Sequence, residues 1–446
     1  MPRGIHRREM LRNTTLAGLG VWLAGSRAPG AEGRSPNEKL NIAFIGCGGQ
    51  GETNLKQIAA AGQNVVALCD VDQRRAAGSF GRFTKARQYR DFRRMFAEIS
   101  KEIDAVVVST PDHMHAPISL AAMKLGKHVY CEKPLTWSIA EARLMAKTAK
   151  EQRLATQMGT QGMGGDRSRA GIEVIRSGVL GEVAEMHVWT DRASRLWPQG
   201  VDRPRETPPV PKELDWDLWL GAAPERPYNP AYCPFVWRGW KDFGTGAVGD
   251  MGIHNAAMCY AGLGLGLPKS VEIVETSGLK SETYPAWSLL KFGFPAAGGR
   301  GPVMLYWYEG GKKPPASLIG GHEVASNGAI VIGNKATLYS IEWTGGDWHL
   351  LPEDKFRDYQ PPAPTIPRAP QGNHHQDWIR ACTGGEPSLC RFEGFASELT
   401  ETLLVGVLAL RIGEKIEWDA GKMQAIGCPA AQPYIEREPR KGWSDL

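Results

Sequence analysis

Lys133, inside Glu132-Lys133-Pro134, and the pair Asp250 and His254, inside Gly249-Asp250-Met251-Gly252-Ile253-His254, are the residues of this chain whose types and spacing suit proton transfer. Residues i and i+4 share one helix face, so Asp250 and His254 can point at one molecule. A histidine titrates near neutrality and can take a hydroxyl proton, while a lysine ammonium can stabilise the alkoxide left behind. The competing readings are a His254 buried and hydrogen-bonded in a core, and a Lys133 that serves only to hold a cofactor.

A third group points to that cofactor. Asn41-Ile42-Ala43-Phe44-Ile45 reads as a strand running into Gly46-Cys47-Gly48-Gly49-Gln50-Gly51, followed by a helix over 54–61 and a second strand over 65–69 that ends at Asp70. This is the dinucleotide-binding order: Gly46 for the tight turn, Gly48 for backbone approach to a pyrophosphate, Gly51 for helix packing. Free N–H groups at the helix N-terminus favour the phosphates. Asp70, 24 residues past Gly46, is placed to accept from the adenosine ribose hydroxyls. Its carboxylate would repel a 2′-phosphate, which favours NAD over NADP, although Arg74 and Arg75 close by work the other way.

These residues need elements to position them. Two short apolar runs, Ala105–Val108 and 128–130, read as buried parallel strands. They end in Ser109-Thr110-Pro111 and Glu132-Lys133-Pro134, and ligands in open α/β sheets sit outside such carboxyl ends. Helices over 92–100, 118–125 and 138–151 and an apolar stretch at 155–158 complete a doubly wound parallel sheet, the Rossmann arrangement. Further on, 181–190 alternates like a half-buried strand, and 288–294, 303–308, 329–332 and 336–339 suggest more. Between 195 and 246 the chain is dense in Trp, Pro and Gly, with Trp197, Trp216, Trp219, Trp237 and Trp240. So long a stretch of loop chemistry is usually functional, and indoles suit the apolar faces and hydroxyls of sugars; most of the 15 Trp are read as packing. A proline-rich connector at 361–370 precedes helices beginning near 373 and 395.

Composition sets the bounds. At 42% hydrophobic and 23% charged residues, the chain reads as globular and long enough for two domains. Residues 1–34 hold six Arg and two Glu, so +4 of the formal +5 sits there and the other 412 residues carry +1. That argues against nucleic acid as a partner. The same segment, His6-Arg7-Arg8-Glu9-Met10-Leu11 followed by a short apolar run, reads as a twin-arginine-like export signal without a stable membrane anchor, the competing reading being an ordinary basic amphipathic terminus. Eight cysteines without a Cys-x-x-Cys pair are no disulfide scaffold, though Cys382 and Cys390 could pair after export. His113/His115 and His374/His375, with only scattered acids about them, are a weak metal signature, so no metal is expected.

The glycine turn, Thr110-Pro111-x-x-x-His115 and Glu132-Lys133-Pro134, in this order, resemble the Gfo/Idh/MocA oxidoreductase family. The resemblance runs from about residue 38 to the C-terminus. It implies an NAD-binding Rossmann domain at 35–157 and a substrate-binding α+β domain at 158–446, the latter with a large, mostly antiparallel open sheet that commonly forms an oligomer interface. It assigns catalysis to Lys133, Asp250 and His254. Cofactor binding then falls to Gly46, Gly48, Gly49, Gln50, Gly51, Asp70, Ser109, Thr110, Pro111, His115, Glu132 and Lys133. One departure stands out: Ala257 takes the place of an acid that the family often carries three residues after the histidine.

The expectation is an exported, periplasmic or secreted enzyme that moves hydride from a sugar or glycoside hydroxyl to tightly held, internally recycled NAD. A second possibility is redox-neutral glycoside cleavage by oxidation, elimination, hydration and reduction; family members of that type often lack Glu-Lys-Pro. A third, from another class, is a non-catalytic carbohydrate-binding protein, against which the joint retention of Lys133, Asp250 and His254 speaks.

Overall fold

Runs such as Ala105-Val106-Val107-Val108 are apolar at every position because helices cover both faces of the sheet they form, and all four residues are buried. In the computed structural model, which describes residues 39–443 except 194, this sheet has six strands. They are β1 (Asn41–Ile45), β2 (Asn64–Cys69), β3 (Arg87–Tyr89), β4 (Ala105–Val108), β5 (His128–Glu132) and β6 (Thr156–Gly159). All pairings are parallel, in the order β3-β2-β1-β4-β5-β6. Strand order reverses between β1 and β4, which opens a crevice at their carboxyl ends. The arginine-rich head read as an export signal lies outside the described residues.

The second sheet has nine strands: β7 (Val183–Trp189), β8 (Ser270–Thr276), β9 (Ser288–Phe294), β10 (Val303–Glu309), β11 (Gly328–Gly333), β12 (Thr337–Ser340), β13 (Trp348–Leu351), β14 (Ile416–Asp419) and β15 (Gln424–Ala425). Their order is β13-β12-β11-β7-β10-β9-β8-β14-β15, antiparallel except for the β7–β10 pair. Alternate residues of β9 are buried, as a sheet with one covered face requires. The buried set packs on the helices Gly246–Leu263 and Ser397–Ile412. Gly406 makes the approach possible, because a Cβ there would lie 2.5 Å from Phe292 Cζ. Replacing Phe292 by alanine should cost about 3–5 kcal/mol.

The Gly246–Leu263 helix carries Asp250 and His254 and is buried almost all round, so its sequence is apolar on every face rather than on one stripe. It stops at Gly264, which takes the left-handed conformation at φ 56°.

The chain leaves the first sheet after β6 and later returns to it. The helix His374–Cys382 lays the fully buried Trp378 against Ile42, Phe44, Leu68 and Tyr130. Asn373 caps that helix by accepting from the amides of His375 and Gln376. All eight cysteines are free thiols, and the Cys382–Cys390 pair that the sequence allowed is not made. Cys382 packs beside Trp378, whereas Cys390 belongs to the other large core, so the sheet's packing separates them. Among the described residues, no helix is long and apolar enough to cross a membrane.

Candidate active site

The crevice begins at the glycine turn. The helix that follows runs Gln50–Ala60, four residues earlier than its apolar pattern suggests, so the turn itself forms the helix N-terminus. Gly49 sits at the cap with φ 58° and no side chain caps the helix, although the Gly51 amide already donates to the Gly48 carbonyl oxygen at 3.1 Å. The glycines are sterically required. A Cβ on Gly46 would lie 2.5 Å from the Ser109 carbonyl oxygen, one on Gly48 would lie 2.7 Å from the Arg75 oxygen, and one on Gly51 would strike the Gly46 carbonyl. Ser79 fastens the turn by donating to the Cys47 carbonyl oxygen at 2.6 Å.

Asp70 closes one end. Its two carboxylate oxygens accept from the Cys47 amide at 2.7 Å and the Asp72 amide at 2.9 Å. Burial raises its pKa to about 6 despite those two bonds. Arg74 is turned away onto Asp72, to which it donates at 2.9 and 2.7 Å. Arg75 does line the crevice.

At the carboxyl ends of β4 and β5, Ser109, Thr110, Pro111, Glu132 and Lys133 all line the same crevice. Thr110 Oγ1 is buried without a hydrogen-bond partner, an orphan that a bound molecule would satisfy. Glu132 accepts from the amides of Asn54 and Gln161, both at 2.8 Å. Burial pushes the Glu132 pKa up, opposed first by the Asn54 bond.

Across the crevice, the Lys133 ammonium donates to Asp250 Oδ1. Arg238 Nε lies 3.5 Å from the same oxygen. Burial alone would raise the Asp250 pKa, but these two cations outweigh it and hold it at about 2. One turn on, His254 meets the Trp343 indole edge-on at 4.9 Å, and its Nδ1 is buried without a partner. Burial, reinforced by the Lys133 charge, keeps this imidazole neutral far below its usual range. The arrangement therefore offers an acceptor for a proton, a fixed ammonium, and a carboxylate that would stabilise an imidazolium once formed.

Two family models match this architecture. One, described as the oxidoreductase family's NAD-binding Rossmann fold, covers residues 40–160; the other, its C-terminal alpha/beta domain, covers 173–287. The chain belongs to the Gfo/Idh/MocA oxidoreductase family. It is similar to a glycosyl hydrolase family 109 protein of Solibacter usitatus, 30% identical over 192 residues, which are 40% of this chain and 44% of that protein. It is also similar to inositol 2-dehydrogenase 2 of Saccharopolyspora erythraea, 38% identical over 124 residues, 27% of this chain and 36% of that one. The matches thus span less than half the length of these curated relatives. Among solved structures, GenD2 from gentamicin A biosynthesis, in complex with NAD, superposes with a TM-score of 0.58 over 87% of this chain and 99% of that one, at 19% identity.

In this Gfo/Idh/MocA chain, the residues named from sequence separate into two sets. Gly46, Gly48, Gly49, Gln50, Asp70, Ser109, Thr110, Pro111, Glu132, Lys133, Asp250 and His254 line one crevice. Gly51 and His115 do not. Gly51 is buried under the turn, as its packing role demands. His115 is buried, with Nδ1 2.7 Å from the Pro134 carbonyl oxygen and Nε2 2.8 Å from that of Thr110. It sits between the two strand-end loops, donating as a neutral imidazole to one of these carbonyls, and does not line this crevice, a correction to its assignment as a cofactor ligand. The other histidines also have packing roles: His113 lies between the carbonyls of Phe243 and Trp219, and His375 bonds Asn54 Oδ1 at 3.0 Å. Among the described residues, no three His, Cys, Asp or Glu side chains form a metal-holding group.

Sequence reasoning missed Arg192, Arg238, Trp343, Gln161 and Asn54. Arg238 lies in the tryptophan-rich stretch already marked as functional, but the charges carry no motif. It also missed Asp112, a buried carboxyl that accepts from the Thr245 amide at 3.1 Å and hydroxyl at 2.7 Å. Burial, then the neighbouring Asp250 charge, raise the Asp112 pKa to about 7.

Proposed function

We propose that this protein oxidises a secondary hydroxyl of a sugar or glycoside with NAD as the redox partner. The observation that carries the reading is the meeting of Lys133, Asp250 and His254 in the crevice that the glycine turn and Asp70 also line. NAD, when bound, supplies the hydride acceptor. Gly48, Gly49 and Gln50 would hold its pyrophosphate, Asp70 its adenosine ribose, and Thr110 and Glu132 the groups near the strand ends.

The protein's own task is the proton. Oxidising a carbinol carbon removes a hydride from carbon and a proton from oxygen. Neutral His254 takes that proton, and the Asp250 charge stabilises the resulting imidazolium. The Lys133 ammonium, held by Asp250, donates to the substrate oxygen as it gains negative charge. Trp197, Trp237 and Trp343 also line the crevice, where indoles suit a sugar ring.

A second reading is redox-neutral glycoside cleavage, favoured by the similarity to the glycosyl hydrolase family 109 protein. A ketone on the ring acidifies the adjacent C–H. Loss of that proton expels the glycosidic substituent, water then adds, and returning hydride restores the alcohol. In both readings the chain is exported and the cofactor stays bound, the hydride passing to a second sugar in the first reading and back to the same substrate in the second.

One experiment separates them. The purified protein is assayed for bound NAD, then incubated with a panel of glycosides in D₂O. Accumulating NADH or a ketone product supports oxidation; free aglycone with deuterium beside the oxidised carbon supports cleavage. A protein that neither holds nor takes up NAD overturns both.

A further inference from the structure

We propose that the substrate is an acidic sugar whose carboxylate or sulfate group is gripped by the guanidinium groups of Arg192 and Arg238. The inference rests on the oxidoreductase reading and narrows its substrate class.

Lys133, Arg192 and Arg238 bring three cations to the catalytic end of the crevice, against the lining carboxyl groups of Glu132 and Asp250, with Asp112 buried behind and accepting from Thr245. Both lining carboxyl groups are already committed. Glu132 is held by the Asn54 and Gln161 amides, and Asp250 is the acceptor for Lys133. Arg238 stands further from Asp250, its Nε 3.5 Å from Oδ1. Arg192 has no carboxylate partner among the described residues. A guanidinium that lines a cleft without a counter-ion gains most from an anionic ligand, because the surrounding protein screens charge less than water does.

Arg238 is packed among aromatic rings, its Cζ 4.3 Å from the centroid of Trp237, 4.5 Å from Phe235 and 5.7 Å from Trp197. Its Nη1 donates to the Phe235 carbonyl oxygen at 2.9 Å, and its side chain is only 17% exposed. Arg192 lies over Trp343 at 5.3 Å, the same indole that His254 meets edge-on. Stacking on aromatic faces holds a planar fork in one orientation, which suits bidentate recognition of a carboxylate or sulfate. A surface arginine needs no such support.

Dinucleotide phosphates are served by the N-terminus of the Gln50–Ala60 helix. Arg192 follows β7, and Arg238 precedes the helix that carries Asp250 and His254, so both belong to the wall on the substrate's side.

The test is equilibrium binding to the NAD-loaded full chain, followed by tryptophan fluorescence or calorimetry. The probes are D-glucuronate, D-galacturonate, glucose 6-sulfate, galactose 6-sulfate, and the neutral parents D-glucose and D-galactose. At least one acidic probe should bind tenfold to a hundredfold more tightly than its parent, the range expected for charge-assisted hydrogen bonds. Added salt should shrink that advantage. Whether uronate or sulfate is preferred identifies the acidic group. In Arg192→Met and Arg238→Gln, the acidic-to-neutral affinity ratio should fall toward one, with thermal melts confirming folding. Neutral sugars binding as tightly as acidic ones, no acidic probe binding at all, or a ratio unmoved in two folded variants would each overturn the proposal. The wild-type comparison decides even if a variant fails to fold. Failure to bind NAD would instead remove the oxidoreductase reading, and this one with it.

Discussion

The ammonium of Lys133 and the carboxylate of Asp250 stand 117 positions apart in the chain and form an ion pair across the crevice, one from the end of β5 and the other from a helix of the second domain. Their side chains are 12% and 4% exposed, so each is the other's main source of charge compensation. The pair fixes where the ammonium points and keeps Asp250 ionised beside His254.

Lys133→Met should therefore lower turnover by about 10²- to 10⁴-fold, the usual range for a positioned proton-transfer or charge-stabilising group. NAD binding should survive, because the glycine turn and Asp70 are untouched. Single-turnover reduction of bound NAD, measured beside NAD affinity, checks both halves. A loss below tenfold would remove Lys133 from the chemistry.

Asp70 gives a pH dependence of defined sign. Its carboxyl group has a pKa near 6 before ligand binds, because burial disfavours the charge. Ribose hydroxyls donate to the ionised form, so NAD affinity should rise as pH increases from 5 to 7 and level off above. Asp70→Asn should flatten that profile and weaken NAD binding by about tenfold, the worth of a hydrogen bond to a charged group. Titrations of NAD at several pH values test it. An affinity that falls across this window would show that Asp70 does not receive the ribose.

Much of this site was legible before any coordinates, for physical reasons. The glycine turn is rigidly specified, since Gly46, Gly48 and Gly51 each face backbone that a Cβ would strike. Strands β1, β4 and β5 announce themselves because burial on both faces forces continuous apolar runs. Strands β3, β8, β13, β14 and β15 do not. β8 is polar or half-exposed along most of its length, and β3 and β15 are only three and two residues long. His115 misled because a histidine bridging two carbonyls has the same sequence signature as one bonding a ligand. Arg192, Arg238 and Trp343 were invisible because their meeting is made by three separate loops of the second domain.

Asp112 should act as a built-in source of instability at high pH. Its Oδ2 takes both bonds from Thr245, while Oδ1 is buried with no partner. Its folded pKa of about 7 lies above the ordinary 3.8, so the native state binds this proton more strongly than the unfolded chain. Stability from this group is thus lost as pH rises from about 4 to 7. Asp112→Asn keeps the acceptor for Thr245 and removes the titration. The variant should gain on wild type by at least about 1 kcal/mol between pH 5 and pH 8, the worth of a single pK unit. Denaturant melts at both values provide the comparison; an unchanged difference would place the Asp112 charge in a better-solvated setting.

Arg169 and Asp377 should matter for both stability and cofactor binding, although neither lines the crevice. Both side chains are 1% exposed and paired at 2.7 Å. Arg169 also donates to the carbonyl oxygens of Met163, at 3.0 Å, and Pro367. Arg169→Met would leave the buried Asp377 with Arg380, at 2.5 Å, as its one cation and the Leu389 amide, at 3.4 Å, and breaking such a pair costs about 3–5 kcal/mol. The remaining Arg380 contact should keep the loss near the lower end. Asp377 belongs to the helix whose His375 donates to Asn54 Oδ1 at 3.0 Å, and Asn54 in turn holds Glu132 at 2.8 Å. Loosening the pair should therefore carry through to Glu132 and weaken NAD binding. A control of equal destabilisation, Phe292→Ala beneath the far sheet, should leave NAD affinity in place. Equal loss of affinity in both variants would mean that global stability, rather than this chain of contacts, sets the cofactor site.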